Sequence, residues 1–140
     1  QCIYTSTRSD KFYLDDVFVS GATFIDSVPP TVLKSTFIDS NSIELAFSEP
    51  VDTSFLSDLT NFILAPYGIN PTAAHPSGFM SITFDFASHF TNRTLHSFWV
   101  EGVNDLFGNA IRDTAISMFY FAPTWGDITI SEIMFDPNPG

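Results

Sequence analysis

Cysteine and basic residues are scarce in this chain of 140 residues. Cys2 is the single cysteine, so no disulfide forms within the chain. Five lysines and arginines stand against 16 aspartates and glutamates, which gives a formal net charge of −11. Such a charge repels phosphate backbones and anionic lipids, so nucleic-acid binding and membrane-surface binding are both disfavoured. We expect the acidic surface to serve solubility rather than calcium binding.

Long apolar runs are also missing. No stretch of about 18 apolar residues exists, which excludes membrane insertion by an apolar helix. The first residues do not show the charged and then apolar regions of a signal peptide, so the signal of an exported parent protein is expected upstream of Gln1. No segment sustains apolar residues at the helical spacing i, i+3, i+4, i+7, which excludes a helical bundle.

Strand patterns fill the chain instead. It is 44% hydrophobic with 16 phenylalanines, a composition that favours strands around a buried core. Apolar and polar residues alternate from Ser42 to Ser48, and further short runs lie at residues 12–19, 32–38, 61–64, 82–86, 95–100, 115–121 and 128–135. Short strands with turn signals about every ten residues predict an all-β fold, an antiparallel β-sandwich.

The connections between these strands carry their own signals. Pro29-Pro30 favours extended backbone, and we place a domain boundary there. Residues 39–42 predict the turn of a hairpin between the runs on either side. Thr53 or Ser54 is expected to cap one helical turn that reaches Leu59. Residues 66–78 contain three prolines and two glycines, which predicts a long surface loop.

Two motifs carry a family resemblance. The first is Pro29-Pro30, then NSIELAFSEPVD at residues 41–52, then Asn61-Phe62. The second is a valine-x-Asp-x-x-Gly-Asn signature at residues 103–109. Together they resemble the bacterial Ig-like domain of surface-layer-type secreted proteins, over about residues 27–123. The resemblance implies an Ig-like antiparallel β-sandwich with a non-catalytic role.

The two flanks resemble parts of other modules. Residues 1–26 are similar to the C-terminal strand of a preceding jelly-roll domain of the lectin or carbohydrate-binding type, followed by a linker. Residues 124–140 resemble a linker and the first strand of a lamin-tail-type domain. We therefore expect a segment of a larger multidomain protein, with an extra strand at each end of the sandwich. Such strands are expected to pair with this sandwich or with another copy of the chain.

Calcium is the one metal that the sequence suggests. Asp105, Asn109 and Asp113 surround the turn at Gly108 and offer the oxygen ligands that calcium prefers. The alternative interpretation, which we favour, is structural: Asp105 and Asn109 hold the turn backbone while Gly108 supplies a positive φ. Under the jelly-roll resemblance, Asp15 is a further candidate ligand, although most of that domain is absent from these 140 residues.

The sequence contains no convincing active site. The three histidines lack metal-ligand spacing, and no Gly-x-Ser-x-Gly elbow occurs; the histidines are His75, His89 and His96. Trp99 is the one candidate ligand-binding residue. If Phe98 and Val100 face the core, Trp99 faces outward, where it can stack on a sugar ring or on a neighbouring domain. The interpretation that we favour is that it only covers the outer sheet face or the adjoining loop. Asn92 begins an Asn-x-Thr pattern, the acceptor sequence for N-glycosylation, which is common by chance.

The function expected from the sequence is that of a spacer. The chain is interpreted as a non-catalytic spacer and interaction module that positions neighbouring domains of a secreted or cell-surface bacterial protein. An extracellular hydrolase or nuclease activity of the parent protein is compatible with this interpretation, with its catalytic residues outside these 140 residues. The alternative is a carbohydrate-binding module with an aromatic platform built from Trp99, Tyr67 or Phe79. The partners expected are neighbouring domains, a second copy and, under the alternative, a glycan; the weak calcium candidates aside, no cofactor is expected.

Overall fold

The computed structural model of this protein describes Gly21 and residues 25–127. The strands predicted at residues 12–19 and 128–135 lie outside these residues. Most of the two flanking segments, residues 1–26 and 124–140, also lies outside them; only Gly21, residues 25–26 and residues 124–127 are described. Cys2 and Asp15 lie outside them too, so their roles stay predictions.

Seven short strands and one 3-10 helix make up the described part of the chain. The strands are β1 (Val32–Phe37), β2 (Ser42–Phe47), β3 (Phe62–Ala65), β4 (Ala73–Pro76), β5 (Ser81–Asp85), β6 (Thr94–Val100) and β7 (Thr114–Tyr120). The 3-10 helix, Thr53–Ser57, connects β2 to β3. Six strands are predicted within the described residues, and each is present with its ends shifted by one residue at most.

The strands form two antiparallel sheets. One has the order β1-β2-β5-β4 and the other the order β3-β6-β7. Lettered A to G along the chain, the sheets are ABED and CFG, which is the strand order of a constant-type immunoglobulin sandwich. The predicted all-β antiparallel sandwich is therefore confirmed.

The β1–β2 hairpin forms where the sequence predicts it. The carboxylate of Asp39 accepts the N–H of Asn41 at 2.8 Å, which closes the turn and lowers the pKa of Asp39. The ladder is interrupted by a bulge between Val32 and Lys34. Leu33, at this bulge, is 70% exposed. The bulge therefore ends regular pairing at the start of the sandwich.

The prediction of a surface loop over residues 66–78 is wrong for its second half. β4 lies there and pairs with β5, with Ala74 opposite Phe84 and Pro76 opposite Ile82. A proline is tolerated because β4 is the edge strand of its sheet, where a missing N–H removes no ladder bond on the open side. Alanine and proline bury little surface, so this strand has no apolar alternation to reveal it.

The 3-10 helix is capped one residue earlier than predicted. The carboxylate of Asp52, rather than Thr53 or Ser54, acts as the N-cap and accepts the N–H of Ser54 at 2.9 Å. The helix ends at Ser57 with Asp58 as its C-cap, instead of continuing to Leu59. Its short length agrees with its role as a connection.

Phenylalanine rings fill the space between the two sheets. Phe62 of β3, Phe84 of β5 and Phe98 of β6 are fully buried, with ring centroids 4.9, 5.2 and 6.2 Å apart. Antibody domains brace this space with an inter-sheet disulfide. The described residues contain no cysteine, so here the two sheets are held together by aromatic and aliphatic burial.

The chain runs through the sandwich from one end to the other. The ring of Phe37, which ends β1, lies 4.9 Å from the ring of Tyr120, which ends β7, so the two strands run in the same direction. Residues 25–31 therefore lie at the end where β1 begins, and residues 121–127 at the opposite end. We call these ends the N-terminal pole and the C-terminal pole. After the linkers expected from the sequence, we name the two segments the N-terminal and C-terminal linkers.

Candidate functional site

A tight turn at residues 105–109 shapes the N-terminal pole. The Asp105 side chain is buried, and its Oδ1 accepts the N–H groups of Phe107 and Asn109, each at 2.8 Å. Its Oδ2 accepts the Asn109 Nδ2 group at 2.6 Å. Gly108 has a φ of 89°, in the left-handed region that side chains with a Cβ rarely adopt. These bonds are those of the structural interpretation, in which Asp105 and Asn109 hold the turn.

The same turn holds the N-terminal linker. Asn109 Nδ2 carries two hydrogens, and besides Asp105 it donates to the Asp26 carbonyl at 3.2 Å. A few residues further on, Thr31 and Ser48 fix the linker again. The Thr31 N–H donates to Ser48 Oγ at 2.9 Å, and the Ser48 N–H donates to the Thr31 carbonyl at 2.8 Å. The linker is therefore attached to the sandwich at both of its ends.

Three carboxylates meet beside this turn. Asp26, Glu49 and Asp105 each offer an oxygen within 4.8 Å of the other two. Desolvation, with repulsion from Asp26 and Asp105, raises the pKa of Glu49. Burial works to raise the pKa of Asp105, but hydrogen bonds from Asn109, and from the N–H groups around the turn, outweigh it and lower that pKa. One cluster of acids therefore contains carboxyls whose pKa values move in opposite directions.

The three calcium candidates do not come together as one group. Asp105 and Asn109 share the turn, whereas Asp113 is exposed and is not part of the carboxylate group, which instead recruits Asp26 and Glu49. Both oxygens of Asp105 already accept hydrogen bonds from the turn. Calcium binding at these residues stays a prediction. Asp26 and Glu49 lie far from Asp105 in sequence, so no local spacing could have indicated them.

A second asparagine holds the linker at the C-terminal pole. Asn92 Nδ2 donates to the Ala122 carbonyl at 2.7 Å, and the Ala122 N–H donates to Asn92 Oδ1 at 2.8 Å. The amide side chain thus makes a two-bond bridge of the kind that pairs neighbouring strands, just after β7 ends. Because the amide nitrogen is already bonded to the backbone, the Asn-x-Thr pattern here serves a structural contact.

The C-terminal linker has a further attachment through Asp127. Arg93, whose φ of 58° lies in the left-handed region, forms an ion pair with Asp127. The backbone N–H of Thr124 and its hydroxyl lower the pKa of Asp127, and the hydrogen bond from Arg93 lowers it further. The side chain of Trp125, within this small turn, is fully exposed at 103%. Residues 121–127 are therefore a bonded extension of the sandwich.

The outward side of the β3-β6-β7 sheet carries apolar side chains. Phe98 and Val100 are buried and Trp99 between them is 48% exposed, so the predicted outward direction of Trp99 is confirmed. Trp99 lies between Ile63 on β3 and Ala115 on β7. Its ligand-binding role stays a prediction.

The aromatic platform expected for carbohydrate binding is not gathered on one surface. Phe79 lies in the turn between β4 and β5 of the four-stranded sheet, while Trp99 lies on the other sheet. Tyr67 follows β3, and its hydroxyl bonds to Thr91 near the C-terminal pole. Trp99 instead shares its face with other apolar residues of β6 and β7.

The three histidines occupy separate environments. His75 lies 3.4 Å from Asp85 on the four-stranded sheet, and His89 Nδ1 lies 2.7 Å from Ser40 Oγ. His96 is fully buried among aromatic rings: its Nε2 lies 3.4 Å from the Thr91 carbonyl, and its Nδ1 has no hydrogen-bond partner. Within residues 25–127 the histidines therefore do not converge on a shared site.

A shallow depression lies between the 3-10 helix and β4, lined by residues such as Leu56, Asn70 and Ala74, and its lining holds no histidine, cysteine or carboxylate. Among the described residues, no helix is long and apolar enough to cross a membrane. Within the described part of the chain, the side-chain hydrogen bonds and the ion pair that hold the two linkers are the polar features that point to a function.

Comparisons with known proteins give matches among solved structures. No family model matches the chain, and no curated protein matches it. The crystal structure of the S-layer protein rSbsC(31-844) is similar with a TM-score of 0.60 at 19% identity, over 69% of this chain and 14% of that one. The N-terminal part of the bacterial S-layer protein SbsC gives 0.60 at 18%, over 69% and 24%. Domains 1-6 of surface layer protein SbsC give 0.61 at 19%, over 70% and 14%.

These likenesses show a shared fold. The identities of 18% and 19% are too low to carry more than the architecture. The chain spans 14% to 24% of the length of the three S-layer structures, so it corresponds to one domain-sized part of each. This protein therefore has a β-sandwich of the kind found within a bacterial surface-layer protein.

Proposed function

We propose that this sandwich is a non-catalytic structural module, which holds neighbouring domains at a fixed separation and orientation in a secreted or cell-surface bacterial protein. The likeness to S-layer protein structures supports this proposal, because the matched part is a small fraction of a much longer chain. The strand order also supports it, since immunoglobulin-type sandwiches commonly occur as modules of cell-surface proteins.

The attachment of both linkers carries the proposal. An asparagine side chain bonds a linker to the sandwich at each pole: Asn109 holds Asp26, and Asn92 holds Ala122 through two hydrogen bonds. A linker without such bonds behaves as a flexible chain and passes on little orientation. A bonded linker instead extends the rigid body past the last strand.

The direction of the chain supports the same function. The two linkers leave from opposite poles, so domains joined to them lie on opposite sides of the sandwich rather than side by side. β7 alone has seven residues, which at about 3.4 Å per residue spans roughly 20 Å between the poles. At the N-terminal pole the exposed apolar side chains offer a contact surface for a neighbour; they are Ile25, Val28, Leu106 and Phe107.

Carbohydrate binding is the alternative function, and one observation favours it. Trp99 is half-exposed on a flat sheet face, where an indole ring can stack on a sugar. Tyr67 and Phe79 do not join it on that face, so the platform expected from the sequence is incomplete. A glycan titration that quenched Trp99 fluorescence, in a chain carrying Trp125→Phe, would favour this alternative.

Distance measurements between spin labels test the spacer function. One label replaces Ile25 and the other Trp125, both highly exposed next to the linker contacts, in a chain carrying Cys2→Ser. We expect a single narrow distance distribution by pulsed electron paramagnetic resonance. Asn92→Ala and Asn109→Ala should each broaden it, because each removes the attachment of a linker nearest to one of the labels, or one of the two attachments of that linker.

Asn104→Ala provides the matched control. Asn104 is exposed in the same loop as Asn109, and its side chain makes no hydrogen bond among the described residues. Its substitution should leave the distribution narrow. A broad distance distribution in the parent chain would contradict the proposed function. So would a distribution that stays unchanged in both Asn92→Ala and Asn109→Ala.

A further inference from the structure

The two outer faces of the sandwich differ sharply in chemistry. On the four-stranded sheet, the rows of outward side chains contain ionisable groups: Lys34, Glu44, His75 and Asp85. On the three-stranded sheet, the outward positions between the two ends of the strands hold no charged side chain. They hold an apolar group with two small hydroxyls; its members are Ile63, Ala65, Leu95, Ser97, Trp99, Ala115, Ser117 and Phe119.

The register makes this group one continuous patch. Ile63, Trp99 and Ala115 form one row across the three strands, and Leu95 and Phe119 form another. Phe121 continues the patch past the end of β7, with the guanidinium of Arg93 at 6.0 Å from its ring centroid. We call this patch the apolar face.

The exposed area of the apolar face is large for a sandwich of this size. Ile63 is 41% exposed, Leu95 62%, Trp99 48%, Phe119 59% and Phe121 48%. With roughly 200 Å² per side chain, these five expose about 500 Å², near the upper end for a monomeric surface. Two such faces in contact would bury about 1,000 Å², which is the lower limit for a specific but weak interface.

Charge indicates which partner fits. The chain carries a formal net charge of −11, so two copies repel each other over most of their surface. The apolar face contains no carboxylate, so two copies can approach each other there without bringing negative charges together. Apart from Phe121, which belongs to the C-terminal linker, the face lies along the side of the sandwich between the two poles, turned away from the directions in which the linkers leave.

From these observations we propose that the apolar face pairs with the same face of a second copy of this chain, as a weak two-fold dimer with antiparallel strands. Glu101 and Asp113, with the single cation Arg112 beside them, lie at the end of the face where β6 ends and β7 begins, and Arg93 lies at the other end. An antiparallel arrangement places the Arg93 end over the acidic end of the partner, whereas a parallel one places the acidic ends together. Arg93 also pairs with Asp127, so the main gain is the separation of the acidic ends.

This dimer is independent of the proposed spacer role. A spacer works as a monomer, and the lateral contact between copies does not depend on the linker hydrogen bonds of Asn92 and Asn109, which carry the spacer proposal. The interface is isologous, so each substitution in the face acts twice in the dimer. Interfaces of such small area are typical of weak and transient complexes, so we expect a dissociation constant in the micromolar range or weaker.

Analytical ultracentrifugation of the full chain under reducing conditions, over a wide range of concentrations, tests the dimer. The weight-average mass is expected to rise from 15.5 kDa towards twice that value. Trp99→Glu and Ser117→Glu each place a carboxylate in the face, and both should keep the chain monomeric. Ser117→Glu replaces an exposed serine, so it keeps the test valid if Trp99→Glu disturbs folding.

Two matched controls add the same charge elsewhere. Phe79→Glu removes an 85% exposed aromatic ring from the β4–β5 turn, and Ser88→Glu replaces an exposed serine after β5. In both controls the dissociation constant of the dimer should rise by only a small factor, because the added carboxylate increases the net negative charge. Equal loss of the dimer in the controls and in the face variants would overturn the proposal, as would a dimer that survives both face variants.

A monomer at all concentrations would also overturn the proposal, and Trp99 would then indicate what occupies the face. In a chain carrying Trp125→Phe, shielding of Trp99 from acrylamide would mean that another part of the same chain covers it. Open access to acrylamide together with quenching by a soluble glycan would assign the face to a sugar. In the dimer, by contrast, acrylamide quenching of Trp99 should fall as the protein concentration rises.

Discussion

Three phenylalanines of different burial allow the packing of this sandwich to be tested with a single type of substitution. Phe98 is fully buried, Phe119 is 59% exposed and Phe79 is 85% exposed. Each is changed to alanine, so the chemistry of the change is constant. The burial of the side chain, and the cavity left behind, are what vary.

The expected losses of unfolding free energy follow from these exposures. Phe98→Ala removes a ring that contacts Phe62, Phe84 and Phe86 and leaves a cavity, so the loss should be about 4 kcal/mol. Phe119 buries about two fifths of roughly 200 Å², which at about 25 cal/mol per Å² gives about 2 kcal/mol. Phe79→Ala should cost less than about 1 kcal/mol by the same reasoning.

Urea denaturation followed by circular dichroism measures the series, at a protein concentration low enough to keep the chain monomeric. An equal denaturant dependence among the variants would show that the unfolded states are comparable. The reasoning would be refuted if Phe119→Ala cost as much as Phe98→Ala, because the apolar face would then be covered within the monomer. A loss below about 2 kcal/mol for Phe98→Ala would contradict the packing of the core.

Three further outcomes are expected. Because the folded-state pKa of Glu49 is raised by desolvation and by Asp26 and Asp105, its ionisation opposes folding as the pH rises through that pKa. Glu49→Gln should therefore raise the melting temperature at pH 7 and leave it unchanged below a pH of about 4. A lower melting temperature of this variant at pH 7 would contradict the expected direction. His96→Leu removes a buried nitrogen that has no hydrogen-bond partner, so it should raise the free energy of unfolding by about 1 kcal/mol in urea titrations. A lower free energy of unfolding would mean that the contacts of the imidazole ring with its aromatic neighbours contribute more than the unpaired nitrogen costs. The melting temperature should be equal in calcium and in a chelator, because the Asp105 carboxylate already accepts three hydrogen bonds from its own turn. A rise of several degrees in calcium would mean binding to the folded state.

The strands and the core were predictable because alternation is a local signal. Ile43, Leu45 and Phe47 alternate with polar residues and are all buried, and the same holds for Phe98 and Val100 around Trp99. Edge strands give a weaker signal. β4 consists of two alanines, a histidine and a proline, so its pairing with β5 depends on a sheet edge that the sequence does not display.

The linker contacts were predictable only in part, because they join distant segments. The turn at Gly108 has a local signature, but the bond from Asn109 to Asp26 spans 83 residues. The bridge between Asn92 and Ala122 spans 30 residues, and the Asn-x-Thr pattern at Asn92 gives no signal for it. The approach of Asp26 and Glu49 to Asp105 likewise follows from the fold alone.

The parallel course of β1 and β7 has a mechanical consequence. When the two linkers are pulled apart, the force acts along β1 and β7 in opposite directions. Antiparallel ladder bonds lie perpendicular to the strands, so the bonds from β1 to β2, and those from β7 to β6, are loaded together in shear rather than opened one after another. A chain built from such sandwiches would resist tension along its length while each domain stays folded.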